Sequence, residues 1–244
     1  MDENPSDDFE LSIPNFQKIS KNIVGGRLKE FDSCIVLSHF KGHSMGGFGG
    51  ALKQLSIGFS SQAGKTFIHT AGRSSNWKEV WSKMATQEDF TTSMGDSASS
   101  IYNYFKNKGG IAFINVMANI SKSCDCAGAS APEPKIHDIG ILASSDPVAL
   151  DRACFDLIKN DDSQGVNEWI SNSNRLLGEH TIEIAEKMGA GTQEYNLVYV
   201  EDDNEDDEDE DEDENFDNTP PINNSSWAFI NYLYLIIFFL LIQF

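Results

Sequence analysis

The densest group of side chains that could do chemistry lies between Ser38 and Lys53. Lys41 and His43 precede a glycine-rich turn, and Lys53 follows it on a run with helical spacing. Glycines permit close backbone approach, and amides at a helix N-terminus attract anions. The run therefore predicts an anion-binding turn, although a packing turn with solvated lysines is more common for such spacing. The predicted ligand-binding residues are Lys41, His43, Gly46, Gly47, Gly49, Gly50 and Lys53.

Two cysteines one residue apart, Cys124 and Cys126, indicate a second kind of chemistry. Thiolates combined with imidazoles are ligands that zinc and iron prefer, and a carboxylate can add an oxygen ligand or orient a histidine. The spacing matches no standard zinc motif, so a pair of unbound loop thiols is the alternative. The predicted metal ligands are Cys124, Cys126, His43, His69 and Asp138, with His137 as a further candidate histidine.

The elements that must position these residues alternate along the chain. Short apolar runs predict buried strands, and apolar residues three and four apart predict helices. Their alternation favours an α/β fold with a mostly parallel sheet and flanking helices, whereas residues 1–30 are polar and predict irregular structure. Asp146 before Pro147 predicts a helix start, with Asp151 on the exposed side of that helix. Strands are predicted at 33–38, 111–117, 138–143 and 195–200, and helices at 51–57, 87–106, 147–158 and 179–188.

The negative charge of the chain is concentrated in one segment. Of the 38 acidic residues, 14 lie in residues 201–217, which leaves 24 acidic against 18 basic residues elsewhere. No basic surface is indicated, so nucleic-acid binding is not expected. Acidic chain of this kind repels itself and cannot bury a core, which predicts a disordered linker at 201–226. Such a linker would attract a basic protein or a cation.

Residues 227–244 are apolar almost throughout and predict a C-terminal hydrophobic helix. Eighteen residues extend about 27 Å as a helix, close to the roughly 30 Å of a bilayer core. No secretory signal is found at the N-terminus, so we expect a tail anchor in a membrane with the body, residues 1–200, in the cytosol. The alternatives are a cytoplasmic protein whose tail packs on the domain, and a lipid-anchor signal that lacks its polar spacer.

Several stretches together resemble one protein family. The run FDSCIVLSHFKGHSMGGFGGALKQLSIG at 31–58 is similar to the signature of the domain of unknown function 362 family: a strand, Lys-x-His, a glycine-rich turn and an Ala-x-Lys helix. The resemblance extends over roughly residues 8–200 and implies a partial α/β domain of this often iron–sulfur-associated family. The other similar stretches are SQAGKTFIHTAG at 61–72, SCDC at 123–126, DIGILASSDPVALDRAC at 138–154 and EIAEKMGAGTQEYNLVYV at 183–200.

The chain departs from the family pattern in two places. Members usually carry a longer segment ahead of the strand at Ser33, so we expect the N-terminal half of the domain to be missing and the sheet to lack neighbours. Many members also carry a ferredoxin-like insert, but residues 76–90 contain no cysteine, so a ferredoxin-type cluster is not expected. The resemblance implies a metal-binding or redox-linked protein. A membrane-tethered binding module without catalysis and a degenerate relic are the alternatives, and no reaction is predicted.

Overall fold

Strands and helices alternate in the computed structural model, which describes residues 7–123 and 133–200 and the backbone of residues 227–230. The strands are β1 (Phe9–Ser12), β2 (Lys21–Val24), β3 (Cys34–His39), β4 (Lys41–His43), β5 (Gly47–Gly49), β6 (Ile111–Met117), β7 (Gly140–Ser144), β8 (Leu197–Val200) and β9 (Trp227–Ile230). The helices are α1 (Ala51–Lys53), extended by a π-helical turn at Gln54–Gly58, α2 (Gln62–His69), α3 (Gln87–Lys106), α4 (Pro147–Asn160), α5 (Val166–Arg175) and α6 (Gly178–Lys187).

The main sheet contains five strands in the order β3-β6-β7-β9-β8. β3 and β6 are parallel, as are β7 and β9, whereas β6 with β7 and β8 with β9 are antiparallel. The α/β fold is therefore confirmed, but the sheet is mixed rather than mostly parallel. Helices α1 to α3 return the chain so that β6 can run parallel to β3. The described residues between β6 and β7 contain no such helix, and β7 runs in the opposite direction.

Two small hairpins accompany the main sheet. β1 pairs with β2 and β4 pairs with β5, both in antiparallel register. The expectation of irregular structure before residue 30 is therefore wrong for β1 and β2. These strands have four residues each, which is too short for an alternating apolar pattern to be recognised. Ile23 and Val24 of β2 are nevertheless buried.

Helices pack on one face of the main sheet. Val36 of β3, Phe113 of β6 and Leu142 of β7 are buried in a core that also contains Ile101 of α3 and Leu150 of α4. Successive side chains of a strand point to opposite faces, so these three strand residues mark the helix-covered face. The burial of this face explains why the strands were recognisable as apolar runs.

The predicted starts of the two long helices are confirmed. α3 begins after Thr86, whose side chain accepts a hydrogen bond from the amide of Asp89. α4 begins at Pro147, and the carboxylate of Asp146 accepts hydrogen bonds from the amides of the next residues in the helix. Side-chain acceptors at these positions satisfy amides that have no partner inside the helix. Threonine and aspartate are therefore typical residues before a helix start.

The predicted C-terminal segment begins as a strand. Trp227–Ile230, the first four residues of the stretch expected to form a hydrophobic helix, form β9 between β7 and β8. The rest of that stretch and the predicted linker, 201–226, lie outside the described residues. In the part of the chain that the structure describes, no helix is both long enough and apolar enough to cross a bilayer.

Candidate functional site

A short hairpin carries five of the predicted site residues, namely Lys41, His43, Gly46, Gly47 and Gly49. β3 ends at His39, and β4 begins two residues later. Lys41 and His43 therefore follow the carboxyl end of β3. Gln87, at the start of α3, fixes the hairpin tip. Its Nε2 donates to the carbonyl oxygen of Met45 at 2.8 Å and to that of Leu176 at 2.6 Å. Ligands of α/β proteins commonly bind beyond the carboxyl ends of strands, where this hairpin lies.

His43 is held in one tautomer. Its Nδ1 accepts hydrogen bonds from the amides of Met45 at 3.2 Å and Gly46 at 3.0 Å. A ring nitrogen that accepts carries no proton, so the neutral ring has its proton on Nε2. Burial lowers the pKa of His43 to about 4, and the charges of Lys53 and Lys41 contribute to this shift. His43 is therefore neutral at pH 7 and presents an N–H donor at Nε2.

His69 has the opposite tautomer. Its Nδ1 lies 2.7 Å from the carbonyl oxygen of Lys65, which can only accept, so Nδ1 carries the proton. The ring lies against Phe90 with 4.8 Å between the ring centroids. Burial lowers the pKa of His69, and the charge of Lys53 lowers it further, while the hydrogen bond to Lys65 opposes them. The Nε2 atom of His69 can therefore accept a hydrogen bond from a ligand, whereas the Nε2–H of His43 can donate one.

Lys53 stands among several other basic groups. Burial lowers the pKa of Lys53, and the charge of Lys65 lowers it further. Burial and then the charge of Lys53 also lower the pKa of Lys41. Since such effects decline with distance, these side chains lie near one another. Among the described residues, the ammonium of Lys53 makes no ion pair. We call this group the basic cluster; its members are Lys41, His43, Lys53, Lys65 and His69.

A cavity of about 390 Å³ adjoins the basic cluster. Its volume falls within the range of roughly 300 to 1,000 Å³ that is usual for small-molecule sites. One wall is polar and comes from α2, and the other comes from the hairpin tip and the loop before α3. The indole of Trp81 at the rim is 78% exposed. The lining residues are Gln62, Lys65, Thr66 and His69 on α2, with Met45, Val80 and Trp81 opposite.

A buried carboxylate occupies the helix N-terminus that follows the glycine-rich turn. Asp151 accepts hydrogen bonds from the amides of Ala51 and Leu52, both at 2.9 Å, and from Asn115 Nδ2 at 2.8 Å. The expectation that Asp151 lies on the exposed side of α4 is wrong, because this residue is completely buried. Desolvation raises its pKa to about 6. The first amides of α1 therefore already have an anionic partner from α4.

Close packing accounts for several glycines of the turn. A Cβ atom on Gly50 would lie 2.5 Å from an oxygen of Asp151, and one on Gly47 would lie 2.7 Å from the backbone of α6. Gly47 also has a φ of 81°, which side chains disfavour. The amide of Gly46 is used by His43, whereas Gly49 faces open space with no atom within 4 Å of its Cβ position. The predicted binding of a ligand by these glycines stays a prediction.

Comparison with protein families matches residues 1–156 of the 244 to the domain of unknown function DUF362. The chain belongs to the DUF362 family. The matched region contains the whole basic cluster together with Asp151 and its partners on α1. It confirms the resemblance for the glycine-rich turn and for the stretches up to residue 154, whereas the stretch at 183–200 lies beyond the match. No curated protein and no solved structure matches the chain.

The cysteine pair of this DUF362 chain, Cys124 and Cys126, lies outside the described residues. The chain that leads to the pair contacts the hairpin, since the amide of Gly42 donates to the carbonyl oxygen of Ser121 at 2.8 Å. A Cβ atom on Gly42 would lie 2.0 Å from the carbonyl oxygen of Lys122, so the two segments are closely packed. The prediction that these thiols share a pocket with Lys41 and His43 stays a prediction.

The remaining predicted metal ligands do not form one group. Asp138 is exposed and accepts a hydrogen bond from the amide of Asn119 at 2.6 Å. Within residues 7–123 and 133–200, His43, His69 and Asp138 belong to no set of three converging metal ligands. The set that does converge there lies largely at the surface, where such acidic groups are common without a metal. Its members are His137, Asp161 and Asp162.

Lys65 belongs to the basic cluster but was not among the ligand-binding residues predicted from the sequence. Lys65 and His69 are four residues apart, and such residues share a face of a helix. The side chain of Ser61 caps α2 by accepting a hydrogen bond from the amide of Gly64 at 3.3 Å. The sequence therefore contains the information needed to predict a basic helix face here. Ser61 is a typical N-cap residue, and Lys65 and His69 follow it with helical spacing.

Proposed function

We propose that this DUF362 domain binds a small organic anion, a carboxylate or a phosphate ester, in the cavity beside the basic cluster. One observation carries the proposal: the partly buried ammonium of Lys53 lies among four other basic side chains and makes no ion pair within the described residues. Of these groups the three lysines, Lys41, Lys53 and Lys65, are cations. Bringing them together is unfavourable, and a bound anion would offset their repulsion. The amides of α1 contribute little, because Asp151 accepts from them.

The cluster offers different groups to different parts of such a ligand. Lys53 and Lys65 supply positive charge, and His43 Nε2 supplies an N–H donor. His69 Nε2 can accept a hydrogen bond from a ligand hydroxyl or from a protonated phosphate. The apolar lining from Val80 and Trp81 suits a carbon skeleton attached to the anion. The proposed ligand therefore combines an oxyanion with an apolar or aromatic part.

Calorimetric titration of the full chain with inorganic phosphate and with phenyl phosphate tests this proposal. We expect phenyl phosphate to bind more tightly than phosphate, because only phenyl phosphate reaches the apolar lining. Lys53→Gln should weaken both by about tenfold or more, the usual effect of losing a charged hydrogen-bond partner. The same variant should leave the ligand-free protein as stable or more stable, because one repelling charge is removed.

Lys159→Gln, at the exposed end of α4, is the matched control and should leave both affinities unchanged. If Lys53→Gln binds the two probes as tightly as the unmodified chain, Lys53 is not a ligand-binding residue. Absence of binding heat for both probes at millimolar concentration would also contradict the proposal. A Lys53→Gln variant that loses stability without ligand would assign the lysine a structural role.

We further propose that Cys124 and Cys126 bind a metal ion together with a histidine of the basic cluster. Two observations support this second proposal. Ser121, shortly before the cysteines, contacts Gly42 of the hairpin. His69 donates from Nδ1 to a backbone carbonyl oxygen, which is the usual arrangement around a histidine that binds metal through Nε2. Elemental analysis should find stoichiometric zinc or iron that Cys124→Ser removes, whereas a folded, metal-free chain would contradict it.

A further inference from the structure

The face of the main sheet that points away from α3 and α4 is apolar and open to solvent. On β3, Ile35 is 72% exposed and Leu37 is 66% exposed, although Val36 between them is buried. On β8 at the other edge, Val198 and Val200 are 44% and 42% exposed. Single exposed apolar residues are common, but a set that shares one face marks a surface that another element covers.

Strand register joins these residues into a continuous surface. Leu37 is in register with Ile114 and Ile114 with Ala143, while Val198 stands opposite position 229 of β9, which is itself beside Ala143. Residues in register lie on the same face of a sheet, so an apolar row runs across β3, β6 and β7 and continues on β8 at the other edge. Five strands spaced about 4.8 Å apart give a surface roughly 19 Å wide. We call it the open face; its residues are Ile35, Leu37, Ile114, Ala143, Val198 and Val200.

The chain itself carries an apolar segment to this sheet. β9 is hydrogen-bonded between β7 and β8, and residues 231–244 follow Ile230 directly with the sequence NYLYLIIFFLLIQF. That sequence contains no charged residue. Fourteen residues extend about 21 Å as a helix, which is enough to cross the open face. Because the segment is covalently joined to a strand of the sheet, its effective concentration at this surface is high.

We propose that residues 231–244 fold back and cover the open face as a second layer of the domain. A large apolar surface on a sheet is usually covered by another element, and the helices described so far cover only the opposite face. The segment and the open face match in apolar character and in length. The inference is independent of the anion site, because it concerns the face away from the helices that carry Lys53 and Lys65.

Photo-crosslinking in the full chain tests the proposal. A p-benzoylphenylalanine residue in place of Leu37 should crosslink on irradiation to a peptide within residues 231–244 of the same molecule, recovered at monomer mass. Leu37 is largely exposed, so the substitution should not prevent folding, and Ile35 provides a second position if it does. Phe16, which is 48% exposed and lies outside the main sheet, is the control position and should not reach that peptide.

The two competing occupants give different results. A crosslink between two chains, recovered at dimer mass, would show that a second copy covers the open face. Flotation of the full chain with phosphatidylcholine vesicles, together with loss of the intramolecular crosslink, would show that the segment enters a bilayer. Absence of any crosslink from either Leu37 or Ile35 in a folded chain also overturns the proposal. We expect the chain to remain in the bottom fraction with the intramolecular crosslink intact.

Discussion

At the scale of single residues, hydrogen bonds to the backbone determine what the two histidines of the basic cluster can do. The amides of Met45 and Gly46 assign the proton of His43 to Nε2, and the carbonyl oxygen of Lys65 assigns that of His69 to Nδ1. Nothing in the residue types distinguishes these histidines. Only the local backbone shows that one presents a donor and the other an acceptor to a ligand.

His43→Asn is expected to make the protein less sensitive to acid. The pKa of His43 is about 4 in the folded chain, below its ordinary value of 6.5, so the unfolded chain takes up a proton first as the pH falls. This uptake by the unfolded chain removes stability between about pH 6.5 and pH 4, by up to about 3 kcal/mol. Asparagine can still accept from the two amides but does not titrate. Urea unfolding across this range should show a smaller loss for the variant.

Parallel pH profiles for the unmodified chain and His43→Asn would mean that His43 titrates with an ordinary pKa. In that case neither burial nor the charges of Lys53 and Lys41 would lower the pKa of His43.

At the scale of elements, α1 depends on a partner far away in the chain. Its first amides donate to Asp151, which is 100 residues after Ala51. The glycine before the helix allows this contact, since Gly50 leaves room for the carboxylate beside the ring of Phe40. Because the helical segment of α1 is short, the distant carboxylate contributes much of what fixes its start.

Gly50→Ala should be strongly destabilising, and Gly49→Ala should not. The new Cβ atom at residue 50 would lie 2.5 Å from Asp151 Oδ1 and 2.8 Å from Phe40, although the extended backbone there suits alanine. Steric overlap and loss of the carboxylate from the buried amides should cost about 2 to 4 kcal/mol. At residue 49 the Cβ atom meets nothing within 4 Å, so we expect a change below about 1 kcal/mol.

Chemical denaturation of the two neighbouring alanine variants measures this difference directly. Equal effects at residues 49 and 50 would show that the contact of Asp151 with α1 contributes little to stability. Since both positions are buried glycines in the same turn, their comparison separates the role of the carboxylate from the general effect of adding a methyl group.

The limits of prediction from sequence also follow from the elements. α3 and β6 were predicted with their observed bounds, because each has a long, regular apolar pattern. The short strands β1, β2, β4 and β5 have no such pattern. Lys41, His43 and Lys53 were recognisable from one local run, whereas the contact of Asp151 with α1 joins distant residues and leaves no local signal. Strand direction was mispredicted because it depends on how the chain crosses between strands.

At the scale of the whole molecule, the acidic segment connects two neighbouring strands of one sheet. β8 ends at Val200, β9 begins at Trp227, and the two strands are antiparallel partners. Residues 201–226 therefore close a hairpin loop of 26 residues, of which 14 are acidic. With the disorder predicted for this segment, closing it would cost chain entropy, and repulsion among its carboxylates would add to the cost of pairing β8 with β9.

Replacing residues 201–226 by a four-residue turn should stabilise the protein. Shortening the loop from 26 to four residues is expected to contribute about 2 kcal/mol from loop closure, with a further gain at low salt from the removed charge. The free energy of unfolding by denaturant measures the change. A loop of 26 glycines and serines separates the two causes, because it keeps the length and removes the charge. An unchanged or lower stability for the short loop would mean that β9 does not pair with β8.

The contact between Asp151 and α1 also has a consequence for biosynthesis. A ribosome makes the chain from its amino terminus, so Ala51 and Leu52 emerge long before the carboxylate that completes their helix. Until α4 has been synthesised, the segment that carries Lys53 lacks its partner. The basic cluster therefore forms late, and a nascent chain that stops before residue 151 should neither hold α1 in place nor recognise an anion.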